Sequence, residues 1–153
     1  MTRNITLYFL LFSLQGFSQT YINKSRAQVK KDLVAYAATI KESNPAVSDA
    51  DSAIVLSIKG TDGSPVKFIY KFDTAGKCQS EKVVSLCETC YTSFLEKALL
   101  TSQYEWKKIN GNQYISNFAS RMLIEIPADK NDFTFIVLRT DWNKEMYDLL
   151  KGQ

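Results

Sequence analysis

The segment SLCETC, residues 85–90, sets two cysteines three positions apart, Cys87 and Cys90, where a strand-like run gives way to a helical one. A thiol at a helix N-terminus faces orphan amides and the positive end of the helix dipole, which favour thiolate and lower its pKa. The Cys-x-x-Cys spacing also lets both sulfurs meet across the first turn. That chemistry suits a thiol–disulfide oxidoreductase, with Cys87 as nucleophile and Cys90 as resolving thiol. A third cysteine, Cys78, lies on the strand directly before the helix. A bridge from Cys78 to Cys87 or Cys90 would staple strand to helix. Closing a loop of about ten residues stabilises a fold by roughly 2–3 kcal/mol in the chain-entropy picture. Three states stand open: a Cys78 staple, which is the preferred reading, a local Cys87–Cys90 bridge, and reduced thiols. One cysteine is always left over.

Other chemistry is scarce. The chain contains no histidine, which removes Ser-His-Asp and Cys-His catalysis. It also removes the commonest zinc ligand, and three cysteines fall one short of an all-thiolate site. A carboxylate could complete such a site, but exported proteins rarely rely on one, so no metal and no cofactor is expected. The carboxylate pairs Asp49 and Asp51, and Asp129 and Asp132, fall in turns, where turn chemistry explains them better than acid–base work. Asn23 opens an Asn-Lys-Ser glycosylation pattern, a short match that alone carries no functional assignment. Tyr104, Trp106 and Tyr114 could make an aromatic face. Exposed, they would be a partner surface, since aromatics anchor interfaces. Otherwise they are cross-strand packing.

The N-terminus reads as a secretory signal. Arg3 precedes an apolar run from Ile5 to Leu14, and Gly16 and Ser18 occupy the −3 and −1 positions of a cut before Gln19. The run is shorter than the roughly 20 residues of a membrane-spanning helix. An uncleaved anchor is the alternative, and the absence of cysteine at the cut argues against a lipid anchor. Residues 1–18 are thus a signal peptide and residues 19–153 one domain, expected in the periplasm or outside the cell. No later stretch is long and apolar enough to span a membrane. Losing Arg3 takes the formal charge from +3 to +2. Lysines and acids are interleaved, so nucleic acid is not an expected partner.

The elements follow with short gaps. Ser25 and Gln28 have capping-box spacing, and Val29, Leu33, Tyr36, Ala37 and Ile40 recur at helical spacing. Asn44-Pro45 ends that helix. Three strands follow: 53–59, the alternating 66–72, with Val66, Phe68, Tyr70 and Phe72 on one face, and 78–84. A second helix is expected from Ser85, capped by Ser85 and Glu88. Asn110-Gly111 signals a tight hairpin, and RMLIEI and FTFIVLR read as another. A short helix from Asp141 would carry Trp142, Met146, Leu149 and Leu150 on one face. The expected fold is α+β, two helices on one face of an antiparallel sheet, in the order α-βββ-α-βββ(β) with a short C-terminal helix. Such a fold has hairpins where a thioredoxin has parallel strands, and Leu86 stands where a tryptophan usually precedes the thioredoxin motif.

The segments INKSRAQVKKDL and VKFIYKFDTAGKCQSEKV, within residues 21–84, resemble those of β-lactamase inhibitor proteins and small outer-membrane assembly lipoproteins. Asn23 replaces the glycine that commonly opens such modules. The resemblance implies a non-catalytic binding role and transfers no site residues. The expected function is therefore an exported binding module for an envelope protein. The alternatives are a thiol–disulfide oxidoreductase and a carrier of a small apolar ligand in a pocket between helices and sheet.

Overall fold

The computed structural model describes residues 20–128 and 133–152. The signal segment and the pair Asp129 and Asp132 lie outside the described residues. The described residues are α+β, with one antiparallel sheet of eight strands and three α-helices. After α1 (Arg26–Thr39) come β1 (Ala46–Ala50), β2 (Ala53–Lys59), β3 (Pro65–Phe72) and β4 (Cys78–Ser85). Then α2 (Glu88–Leu99) leads to β5 (Lys107–Asn110), β6 (Gln113–Ile115), β7 (Met122–Glu125) and β8 (Phe133–Arg139), with α3 (Lys144–Lys151) closing the chain. The strand order is β1-β2-β3-β4-β8-β7-β6-β5. Two four-stranded meanders are thus joined through β4 and β8, and α2 carries the chain from the centre of the sheet to its far edge.

Register explains which residues face the core. Ile54, Tyr70, Glu81, Val137, Ile124 and Tyr114 stand opposite one another on six successive strands. Leu56, Phe68, Val83 and Phe135 form the next such row. Residues that stand opposite share a face, so these rows make one side of the sheet. They join Val29 and Leu33 of α1 and Cys90 of α2 in a single buried cluster. The ring of Phe94 on α2 meets Phe68 edge-on at 4.9 Å. Among the described residues, no helix is long and apolar enough to cross a membrane.

Four expectations need correction. β1 lies after Asn44-Pro45, ahead of the first strand that the sequence pattern predicts, at 53–59. Its residues are polar or small and mostly exposed, so it lacks the apolar alternation that marks a strand. It forms because it is an edge strand paired with β2 and tied to α1, where Arg26 and Lys30 reach Asp49 at 2.5 and 3.0 Å. Those charges also protect the edge from further pairing. The capping box of α1 is half made: Ser25 Oγ accepts from Gln28 N–H at 3.3 Å, while the Gln28 side chain donates to Asp32 at 2.6 Å. Helix α2 starts later than expected. Ser85 ends β4, and the N-cap is Cys87. Finally, α3 buries Tyr147, leaving Met146 and Leu149 exposed. The rings of Phe118 and Trp142 offer an aromatic seat, and Tyr147 fills it.

The register of α1 can be tested with two adjacent substitutions. Leu33→Ala removes a fully buried side chain and is expected to cost about 2–5 kcal/mol. Val34→Ala removes one that is 52% exposed and should stay within about 0.5 kcal/mol. Urea unfolding monitored by circular dichroism measures both. Equal costs would place the wrong face of α1 against the sheet.

Candidate functional site

Two places bring chemistry together, one at each end of the α2–sheet interface. The first is the cysteine corner. Ser85 Oγ accepts from Cys87 N–H at 3.0 Å and bonds the Cys87 carbonyl at 2.9 Å, turning the chain sharply out of β4. The helix then begins with Cys87 Sγ accepting from Cys90 N–H at 3.2 Å. Cys87 and Cys90 form a disulfide across this first turn, with their Cα atoms 5.2 Å apart. Cys78 is free and buried. The expected Cys78 staple is therefore overturned. The reason is strand geometry: β4 runs extended from Cys78 to Ser85, which at about 3.3 Å per residue sets Cys78 roughly 20 Å from the corner. Burial pushes the Cys78 thiol up to about 12, so it stays protonated and inert.

The turn between β2 and β3 closes over the disulfide. Thr61 N–H points to Cys90 Sγ at 3.4 Å, and Thr61 Oγ1 lies 3.8 and 3.6 Å from the two sulfurs. Gly60 is required by space: a Cβ there would sit 2.7 Å from Cys90 Sγ and 3.0 Å from Cys87 Cβ. An Asp62 carboxylate oxygen and both sulfurs lie within 4.8 Å of one another. Cys87 is fully buried and Cys90 is 8% exposed.

The second place is a cavity of about 60 Å³ between α2 and the sheet, lined by Phe68, Tyr70, Phe94, Tyr104, Trp106 and Glu81 among others. Glu81 is the one carboxylate in the otherwise apolar row described above. It accepts hydrogen bonds from Tyr21 N–H and from the Thr20 side chain. As a residue it keeps partial exposure, yet desolvation among aromatic neighbours drives its carboxyl up to about 7, against the pull of those two donors. Trp106 Nε1 is buried and has no hydrogen-bond acceptor among the described residues. Leaving such a donor unpaired costs about 1–3 kcal/mol. Between Tyr104 and Trp106, Glu105 takes a left-handed conformation, φ 49°, which is costly for a residue with a Cβ. The backbone strain turns both rings toward the core cluster, where they pack.

The three aromatic residues expected to form a partner surface are thus divided. Tyr104 and Trp106 touch each other at 5.8 Å and line the cavity. Tyr114 sits across from Lys108, whose ammonium lies 5.8 Å from its ring centre. All three are half-buried against the core. Glu81 escaped the sequence reading altogether. A bulge near Lys71 and Phe72 shifts the β3–β4 register, so parity could not be carried from one strand to the next. Its alternation with Val83 and Ser85 within β4 was the available signal. Comparison with known proteins found no matching family model, curated protein or solved structure.

Glu81 should make stability fall as pH rises. Its carboxyl holds a proton in the fold up to about 7 and in the unfolded chain only to 4.5. Between those values the folded state binds more protons, so stability is lost as pH climbs through the window. Relative to Glu81→Gln, the wild-type chain is expected to lose on the order of 2–3 kcal/mol between pH 4.5 and 8. Parallel pH profiles from denaturant melts would show no such divergence if the carboxyl were solvated. At the corner, Gly60→Ala is expected to cost about 1–3 kcal/mol, and less in a Cys87→Ala/Cys90→Ala background, as a double-mutant cycle would read.

Proposed function

We propose that this chain is an exported, non-enzymatic binding module whose ligand enters the cavity between α2 and the sheet. The observation that carries the reading is that Glu81, a carboxylate desolvated among aromatic neighbours, lines one apolar space with Tyr70, Tyr104 and Trp106. Small-molecule sites have this character, mostly apolar walls with a few convergent polar groups. Phe94 and Ala98 of α2 supply the roof, and aromatic rings of the sheet and the rim supply the walls. The chemistry of the groups selects the ligand: a compact aromatic or aliphatic body with an ammonium or other strong donor for Glu81, admitted by outward movement of the rim, because the closed cavity of about 60 Å³ is smaller than the roughly 150 Å³ that holds a benzene ring. A carboxylate retains accepting capacity beyond the two bonds it already takes. Cations also gain from the faces of nearby rings. The proposal of export rests on the leader pattern at residues 1–18, and a disulfide accords with an oxidising compartment.

This reading moves emphasis from an envelope protein partner to a small ligand, because Tyr104 and Trp106 are turned inward rather than displayed. The oxidoreductase alternative is weakened by the burial of Cys87, the sulfur it needs as nucleophile.

Three probes of one shape separate the possibilities: benzylamine, benzyl alcohol and benzoate. Trp106 fluorescence is isolated in a Trp142→Phe background. Benzylamine is expected to shift that signal saturably, more tightly as pH rises through about 7 and Glu81 ionises. Glu81→Gln should weaken its binding about tenfold or more, a loss of 1.4 kcal/mol. Benzoate should not bind. Equal response to all three probes, or none to any, would sink the cation-binding reading.

A further inference from the structure

We propose that reduction of the Cys87–Cys90 disulfide turns the cysteine corner into a site for one divalent cation of the zinc class, held by both thiolates and the Asp62 carboxylate. The three side chains come from separate stretches, the β2–β3 turn and the start of α2. Their ligating atoms already lie within 4.8 Å of one another. Around a tetrahedral zinc such atoms stand roughly 3.3–3.8 Å apart, so small side-chain rotations suffice. The Cys-x-x-Cys turn, with its Cα atoms 5.2 Å apart, need not open.

The surroundings suit bound thiolates as well. Cys90 N–H donates to Cys87 Sγ at 3.2 Å and Thr61 N–H to Cys90 Sγ at 3.4 Å. Amides aimed at sulfur stabilise its negative charge, and at a metal site they orient and tune the ligand. Helix α2 adds its positive end behind Cys87. Ser64 N–H holds one Asp62 oxygen at 2.8 Å, which fixes the carboxylate and leaves the other oxygen available. At Gly60, a side chain would press directly on the Cys90 sulfur. Two sulfurs and one oxygen leave the fourth position to water or to Thr61 Oγ1. This donor set favours zinc over magnesium or calcium, which take oxygen ligands.

The chemistry balances with a dithiol as co-reactant. One of its thiolates attacks the Cys90 sulfur, the more exposed of the pair. The S–S bond breaks and Cys87 leaves as thiolate, accepting the amide bond it already has. The second thiol of the reductant then displaces Cys90 and departs as its own disulfide. Two electrons and two protons have moved to the protein. Cation binding expels those two protons.

The test is cobalt titration of the full chain, reduced with dithiothreitol and then desalted under anaerobic conditions. One equivalent of Co²⁺ is expected to give a thiolate-to-cobalt charge-transfer band, which Zn²⁺ displaces and the oxidised protein lacks. Cys90→Ser should abolish the band, Asp62→Asn should weaken affinity at least about tenfold, and Cys78→Ala should change nothing. Circular dichroism follows the fold throughout. The proposal is overturned by a reduced, folded protein without the band, by Asp62→Asn titrating like wild type, or by a band that needs Cys78. Unfolding on reduction that Zn²⁺ does not reverse overturns it too.

Discussion

The pairing of β4 with β8 is the contact on which the remaining architecture rests. Each meander closes locally, through short turns and adjacent strands. Among the described strands the ladder of Ser80–Ser85 against Phe133–Leu138 joins them, and the Arg139–Asp73 ion pair at 2.8 Å adds to that junction. That junction aligns the rows of inward-facing residues, so that Phe68, Val83 and Phe135 stand side by side beneath α2. Contacts between residues so distant in sequence close long loops before they gain anything, which makes such a junction slow to form but cooperative once formed. Antiparallel pairing is what lets the two halves meet here, because α2 returns the chain to the far edge and three hairpin connections bring it back to the centre.

β4 therefore serves two sites at once. Its last residue, Ser85, bends the chain into the α2 N-terminus and sets the disulfide against Gly60 and Thr61. Its middle residue, Glu81, lies in the central rows, where sheet neighbours on both sides are apolar. A carboxylate there is destabilising for the fold in its charged form, and although it holds Tyr21 N–H and the Thr20 side chain, its apolar sheet neighbours do not call for a charge. A group kept at such a cost, lining one cavity with Trp106, is the kind of local inconsistency that functional sites show. The interpretation of the cavity as a binding site follows from that contrast rather than from its size.

The two sites also differ in rigidity. The corner is over-determined, with a disulfide, an ST-type turn at Ser85 and a glycine approach within one small volume. The cavity rim is built from Thr20, Tyr21 and the Tyr104–Trp106 segment, which lie outside the strands and are held by turn and loop hydrogen bonds such as Asn117 N–H to the Tyr104 carbonyl at 2.7 Å. Segments of that kind open more readily than central strands. A cavity that must admit and release a ligand is better placed beneath such a rim than beneath the cross-linked end of α2.

The sequence by itself determined the local elements. Alternation in VKFIYKF marked β3 and its buried face, helical spacing marked Val29 and Leu33, and Asn110-Gly111 marked the β5–β6 hairpin. These signals are local, since propensity, turn chemistry and periodicity act within a few residues. It also delimited the chemistry: without histidine, only cysteines, carboxylates and aromatics were left to consider. The tertiary structure alone decided the rest. β1 is a strand because β2 and Arg26 hold it, not because its residues favour one. Cys78 is separated from Cys87 and Cys90 by the length of an extended strand, which spacing in sequence conceals. Asp62 lies near the sulfurs, and Glu81 and Trp106 line one cavity, because hairpin register and the β4–β8 junction place them there. Register depends on a bulge and on pairing between distant segments, and neither is written in the pattern of any one segment.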